Sequence, residues 1–76
     1  MIKAINPVHQ SKVNKAVRYL LTYNRLNDLR DSVDGVDEKL YKKYDRQCIN
    51  VFEKYMDALN ELPKREQLNI EKSEIY

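Results

Sequence analysis

Between Val13 and Val33 apolar side chains recur every three or four residues, the spacing of one face of an α-helix. Val13, Ala16, Leu20 and Tyr23 make one row, and Tyr19, Thr22, Leu26, Leu29 and Val33 make a second. The first row runs out at Asn27 and Arg30, so the buried face must rotate around the helix, and Asn24 to Asn27 is the expected place for a bend. Upstream, Asn6 before Pro7 reads as an N-cap followed by a first helical residue whose missing N–H costs nothing, with Ser11 as the alternative cap. Downstream, Asp31-Ser32-Val33-Asp34-Gly35 is the mid-chain cluster of turn formers, and Gly35 is best able to adopt the left-handed conformation after a helix. These signals predict a first helix at about 7–33.

Asp34 or Asp37 then caps a second helix, predicted at about 36–62, which Pro63 forbids to continue. Its pattern is the clearest in the chain. Tyr41, Tyr44, Cys48, Val51, Tyr55, Ala58 and Leu62 alternate by three and four, as a heptad seam requires, and Ile49, Phe52, Met56 and Leu59 form a row beside it. At about 100° per residue the joint apolar arc spans about 180°, more than one neighbouring helix covers. The expectation is an all-α, antiparallel two-helix hairpin that dimerises into a four-helix bundle. One row of each helix closes the hairpin, and Ile49, Phe52, Met56 and Leu59 supply a dimer or core seam. Residues 63–76 show no dependable periodicity and are expected to form a charged tail, with one short helical turn at most around Lys64-Arg65-Glu66-Gln67-Leu68.

Composition agrees with a small helical domain: 76 residues, 42% hydrophobic and 34% charged, with one Gly and two Pro, a balance that excludes a disordered chain. Every apolar run is interrupted by a charged or amide side chain, so no membrane span is expected. A single cysteine and no secretory leader point to the cytoplasm. Richness in Lys, Asn, Ile and Tyr suits AT-rich codons, from which a low-GC bacterial or bacteriophage origin is expected. Fourteen basic against twelve acidic residues is too even to announce a nucleic-acid binder, so the placement of charge decides more than its sum. Helix one begins basic (Lys12, Lys15, Arg18) and ends with Asp28 and Asp31; helix two begins basic (Lys39, Lys42, Lys43, Arg46) and ends acidic (Glu53, Asp57, Glu61). Antiparallel pairing would set Asp28 and Asp31 near Lys39 and Lys43, and the cations of helix one near the acids of helix two.

Catalytic chemistry is poorly provided for. His9 stands alone near the start, without a second His or Cys to share a metal or a proton. Cys48 falls on the seam, where burial keeps a thiol protonated and inert, and one glycine cannot build a phosphate-binding loop. No enzyme activity, cofactor, metal or small-molecule substrate is expected. Arg18, Tyr19, Tyr23 and Arg25 have the composition of an interface hot spot and are the candidates for docking a larger protein. Lys39, Lys42, Lys43 and Arg46, interleaved with Tyr41 and Tyr44, are the candidates for nucleic acid, with Lys12, Lys15, Arg18 and Arg25 as a second basic stripe.

Three resemblances accompany this reading. Met56-Asp57-Ala58-Leu59-Asn60-Glu61-Leu62-Pro63-Lys64-Arg65-Glu66 resembles the opening of sigma-factor region 4 over about eleven residues, and stops before any helix-turn-helix. Gln67-Leu68-Asn69-Ile70 is similar to the start of bacterial sliding-clamp-binding peptides, with Glu71 where those carry an aromatic residue or Leu. The expected architecture is similar in shape, without a shared motif, to plasmid repressor-of-primer proteins, which are RNA-binding hairpin dimers. The expected function is a small non-catalytic regulator or adaptor, a homodimer that docks onto a larger protein. The rival expectation is an RNA- or DNA-binding hairpin dimer.

Overall fold

The computed structural model describes residues 2–73, and all its regular structure is helical. A 3-10 turn, Pro7–His9, runs directly into α1, Gln10–Val33. Asn6 stands at its head with an extended backbone, and its side-chain oxygen accepts the Val8 N–H at 3.1 Å. That bond satisfies one of the donors that a helix start leaves unpaired. α1 continues unbroken through Asn24–Asn27, the stretch where a bend is expected from sequence. Its buried face rotates along the way: Val13, Ala16, Val17 and Leu20 are buried in the first half, and Leu26, Arg30 and Val33 are half-buried in the second.

Asp34 to Asp37 make the reversal. Gly35 takes φ of 73°, a conformation that costs an L side chain about 1–2 kcal/mol. The Val36 and Asp37 N–H groups both donate to the Val33 carbonyl, closing the end of α1. Of the two candidate caps it is Asp37 that starts α2, Glu38–Asn60, its carboxylate accepting the Leu40 N–H at 3.1 Å. The two helices are antiparallel: Lys15 meets Glu61, Tyr23 meets Phe52, Asn27 meets Cys48 and Arg30 meets Asp45.

After Pro63 the chain does not fray. Residues Lys64–Lys72 form α3, nine residues where the sequence pattern predicts a charged tail with one turn at most. The last part of that predicted tail, residues 74–76, lies outside the described residues. Two side chains spaced one turn apart, Glu66 and Ile70, explain the difference, since they are 2% and 1% exposed. The Glu66 carboxylate accepts the backbone N–H groups of Ile5 at 2.8 Å and Asn6 at 3.2 Å, tying α3 to the segment ahead of α1. Asn69 donates to the Lys3 carbonyl at 2.9 Å. Gln67 donates to the carbonyls of Leu59 and Leu62 at 2.8 and 2.9 Å, adding a second donor to Leu59, which already accepts the Leu62 N–H, and tying α3 to the end of α2. A charged residue acting as a buried clamp is invisible to a search for apolar periodicity.

The core sits at this end of the hairpin. Ala4, Val13, Ala16, Val17, Leu20, Tyr55, Ala58, Leu59, Leu62 and Ile70 form one buried cluster, with Ile2 and Tyr19 packed against it. Towards the turn, Tyr41, Tyr44 and Val51 of the seam are only half-buried, because nothing corresponding to α3 covers that end. α1 also presents Asn24, Asn27 and Arg30 there instead of apolar groups.

Candidate functional site

The second row of α2 divides. Leu59 is 4% exposed and belongs to the core, whereas Ile49, Phe52 and Met56 are 54%, 41% and 39% exposed. The reason is position along the rod: Leu59 lies level with the core cluster, and the other three lie on a flank that neither α1 nor α3 covers. Phe52 is held by tilted ring contacts, with centroids 5.2 Å from Tyr23 and 6.3 Å from Tyr55. Tyr23, Arg30, Cys48, Ile49, Phe52 and Glu53 line a shallow cleft along this flank.

Polar groups floor the cleft towards the turn. Arg30 Nη1 donates to Asp45 at 2.9 Å, and this hydrogen bond holds the guanidinium proton more tightly than usual, against a smaller opposing effect of burial. Cys48 is 2% exposed and its thiol lies 3.5 Å from Asn27 Oδ1. Burial pushes the thiol pKa up, and the positive charge of Arg30 offsets part of that rise. At neutral pH it is a protonated packing group. Asn24 Nδ2 and Arg30 Nε are buried without a hydrogen-bond partner among the described residues.

The four residues proposed from sequence to dock a larger protein do not form one patch. Tyr23 is half-buried under Phe52, and Tyr19 is half-buried against the core. Arg18 and Arg25 are exposed on the outer face of α1, with Leu21 and Leu29, which are 45% and 37% exposed. At 100° per residue Arg18, Leu21, Thr22, Arg25 and Leu29 fall within one stripe. Leu21 belongs to neither apolar row, so periodicity does not point to it; its signal is its place between Arg18 and Arg25 on the helix surface.

The four cations of α2 do share one face. Lys39, Lys42, Lys43 and Arg46 are all exposed, and with Gln47 and Asn50 they line a shallow depression. Tyr41 and Tyr44, interleaved with them in sequence, are half-buried on the opposite, seam-facing side. The charge pairing expected at the turn is not found: no ion pair among the described residues joins Asp28 or Asp31 to Lys39 or Lys43. Asp31 instead lies 3.9 Å from Arg30, and Lys42 pairs with Glu38 at 3.4 Å along its own helix. At the other end Lys15 reaches Glu61 at 3.9 Å, an exposed pair worth about 0–1 kcal/mol.

Among the described residues no group of three or more His, Cys, Asp or Glu side chains is placed to hold a metal ion, and no helix is long and apolar enough to cross a membrane. No family model matches the chain, and no curated protein or solved structure is significantly similar to it.

Proposed function

We propose that this chain is a small non-catalytic regulatory or adaptor protein that pairs with a second copy of itself and binds a larger protein through its helical faces. The observation that carries the reading is the row Ile49, Phe52 and Met56, exposed side by side on a domain whose core cluster holds ten side chains among the described residues. Apolar surface in a contiguous row on so small a protein is the mark of a face used for association. Pairing of two hairpins through this flank would bury the row and build a four-helix bundle, leaving the outer stripe of Arg18, Leu21, Arg25 and Leu29 for the larger partner. An apolar pair framed by arginines suits a protein surface that is apolar at its centre and acidic at its rim.

Light scattering tests the pairing, with a mass twice the 9.1 kDa of one chain expected. Ile49→Asp with Phe52→Asp should return the single-chain mass while preserving helicity. Arg18→Glu with Arg25→Glu should abolish photo-crosslinking to the larger partner through the outer face of α1 and leave the mass unchanged. A wild-type chain that stays single at the highest attainable concentration, and that crosslinks to nothing through either face, would remove the reading.

A further inference from the structure

We propose that the outer face of the first half of α2 is a second, separate interaction surface, which binds the phosphate backbone of a nucleic-acid duplex. Lys39, Lys42, Lys43 and Arg46 are each spaced three or four residues from two others of the set, so all four are neighbours on one helical surface. Such like-charge spacing destabilises a helix. Lys39 adds to this by standing in the first turn of α2, where the helix dipole disfavours a cation.

The fold does little to relieve the repulsion. The acids of this half of α2 are Glu38 and Asp45; Asp45 borders the face beside Lys42 and Arg46, but its carboxylate is engaged by Arg30 at 2.9 Å. Glu38 reaches only Lys42, at 3.4 Å and with both side chains largely exposed. Asp28 and Asp31 of α1 do not reach across, and Lys39, Lys43 and Arg46 make no ion pair among the described residues. Four mutually repelling cations on an exposed face are relieved by a polyanion.

The shape of the face selects which polyanion. Lys39 to Arg46 spans about 10 Å along the helix, at a rise of about 1.5 Å per residue. Over that length a duplex presents about six phosphate charges, at one per roughly 1.7 Å, enough to engage all four side chains. Gln47 and Asn50 extend the same face with neutral amide donors suited to phosphate and sugar oxygens. Tyr41 and Tyr44 are turned into the seam, so the face offers no exposed ring on which an unpaired base can stack. Backbone contact to a duplex, without base reading, is what remains.

The test is fluorescence anisotropy of the full chain with labelled DNA and RNA duplexes of about 20 base pairs, and with the corresponding single strands, at about 50 and 200 mM salt. Four neutralised phosphates predict a loss of affinity of about 100-fold across that range. Preference for the DNA or the RNA duplex identifies the source of the phosphates. Lys43→Glu with Arg46→Glu should abolish binding at the lower salt, and Lys42→Gln with Lys43→Gln should weaken it about tenfold, each with an unchanged helical circular-dichroism spectrum. Lys12→Glu with Lys15→Glu, the same charge change on α1, should leave duplex binding within about threefold of wild type. The proposal is overturned by any of four results: no duplex binding at about 10⁻⁴ M protein and the lower salt, equal loss from the α1 and α2 reversals, preference for single strands, or binding to phosphatidylserine vesicles but not to duplexes.

Discussion

Glu66→Ala is the substitution that bears most directly on how this chain holds together. It removes a carboxylate that is 2% exposed and that accepts the Ile5 N–H at 2.8 Å and the Asn6 N–H at 3.2 Å. A hydrogen bond to a charged acceptor contributes about 1.5–3 kcal/mol, and the longer of the two is placed at the weak end of that range. Part of the loss is returned because the carboxylate need no longer be desolvated. The net expectation is a destabilisation of about 3 kcal/mol, against a total of about 4–11 kcal/mol for a domain of this length. In a domain of 60–100 residues that corresponds to a fall in Tm of about 12–24 °C. Urea unfolding followed by circular dichroism measures the energy, and hydrogen exchange at the Ile5 and Asn6 amides locates it. Glu66→Gln should fall between, since it keeps an acceptor for Ile5 but sets an amide donor or a weaker neutral acceptor before Asn6. A change of less than about 0.5 kcal/mol in the alanine variant, with Ile5 and Asn6 exchanging as in wild type, would show that α3 is not clamped by this residue.

Two further outcomes follow from the turn-proximal half. Burial raises the Cys48 thiol pKa above its unfolded value, so its contribution to stability is intact below the ordinary thiol value of 9.0 and is lost as pH climbs through the folded pKa; unfolding midpoints should decline in that alkaline range, and Cys48→Ala should flatten the decline. The same burial predicts slow reaction with thiol reagents at neutral pH until the chain is unfolded, and labelling as fast as that of free cysteine would contradict it. Asn24→Leu removes a buried donor that has no hydrogen-bond partner among the described residues and should raise stability by about 1 kcal/mol, read as a higher Tm; a lower one would mean that the amide group is satisfied by something that leucine cannot replace.

Much of the hairpin was legible in the sequence because its signals are local. Asn6, Asp37 and Gly35 act through hydrogen bonds and dihedrals within a few residues of themselves: Gly35 has the expected role, Asp37 is one of the two expected caps, and Asn6 caps the 3-10 turn that leads into α1 rather than α1 itself. The three-four seam of α2 likewise names the inward face, since side-chain direction on a helix follows from sequence spacing alone. The exposed cations Lys39, Lys42, Lys43 and Arg46 were legible as one face for the same reason, but their lack of partners from α1 was not, because it depends on how two helices meet.

The sequence by itself determined that the chain is helical, where it reverses, and which edge of α2 turns inward, for these depend on backbone preference and periodicity. The tertiary structure alone decided that a charged segment past Pro63 becomes α3, that Glu66 and Gln67 use it to close both termini of the hairpin, and that the dry core lies only at that end. It also decided that Leu59 is covered while Ile49, Phe52 and Met56 stay in water. The physical reason is that burial is a property of pairs of surfaces: a residue's periodicity gives its direction, but only the neighbour that arrives from elsewhere in the chain makes that direction an interior.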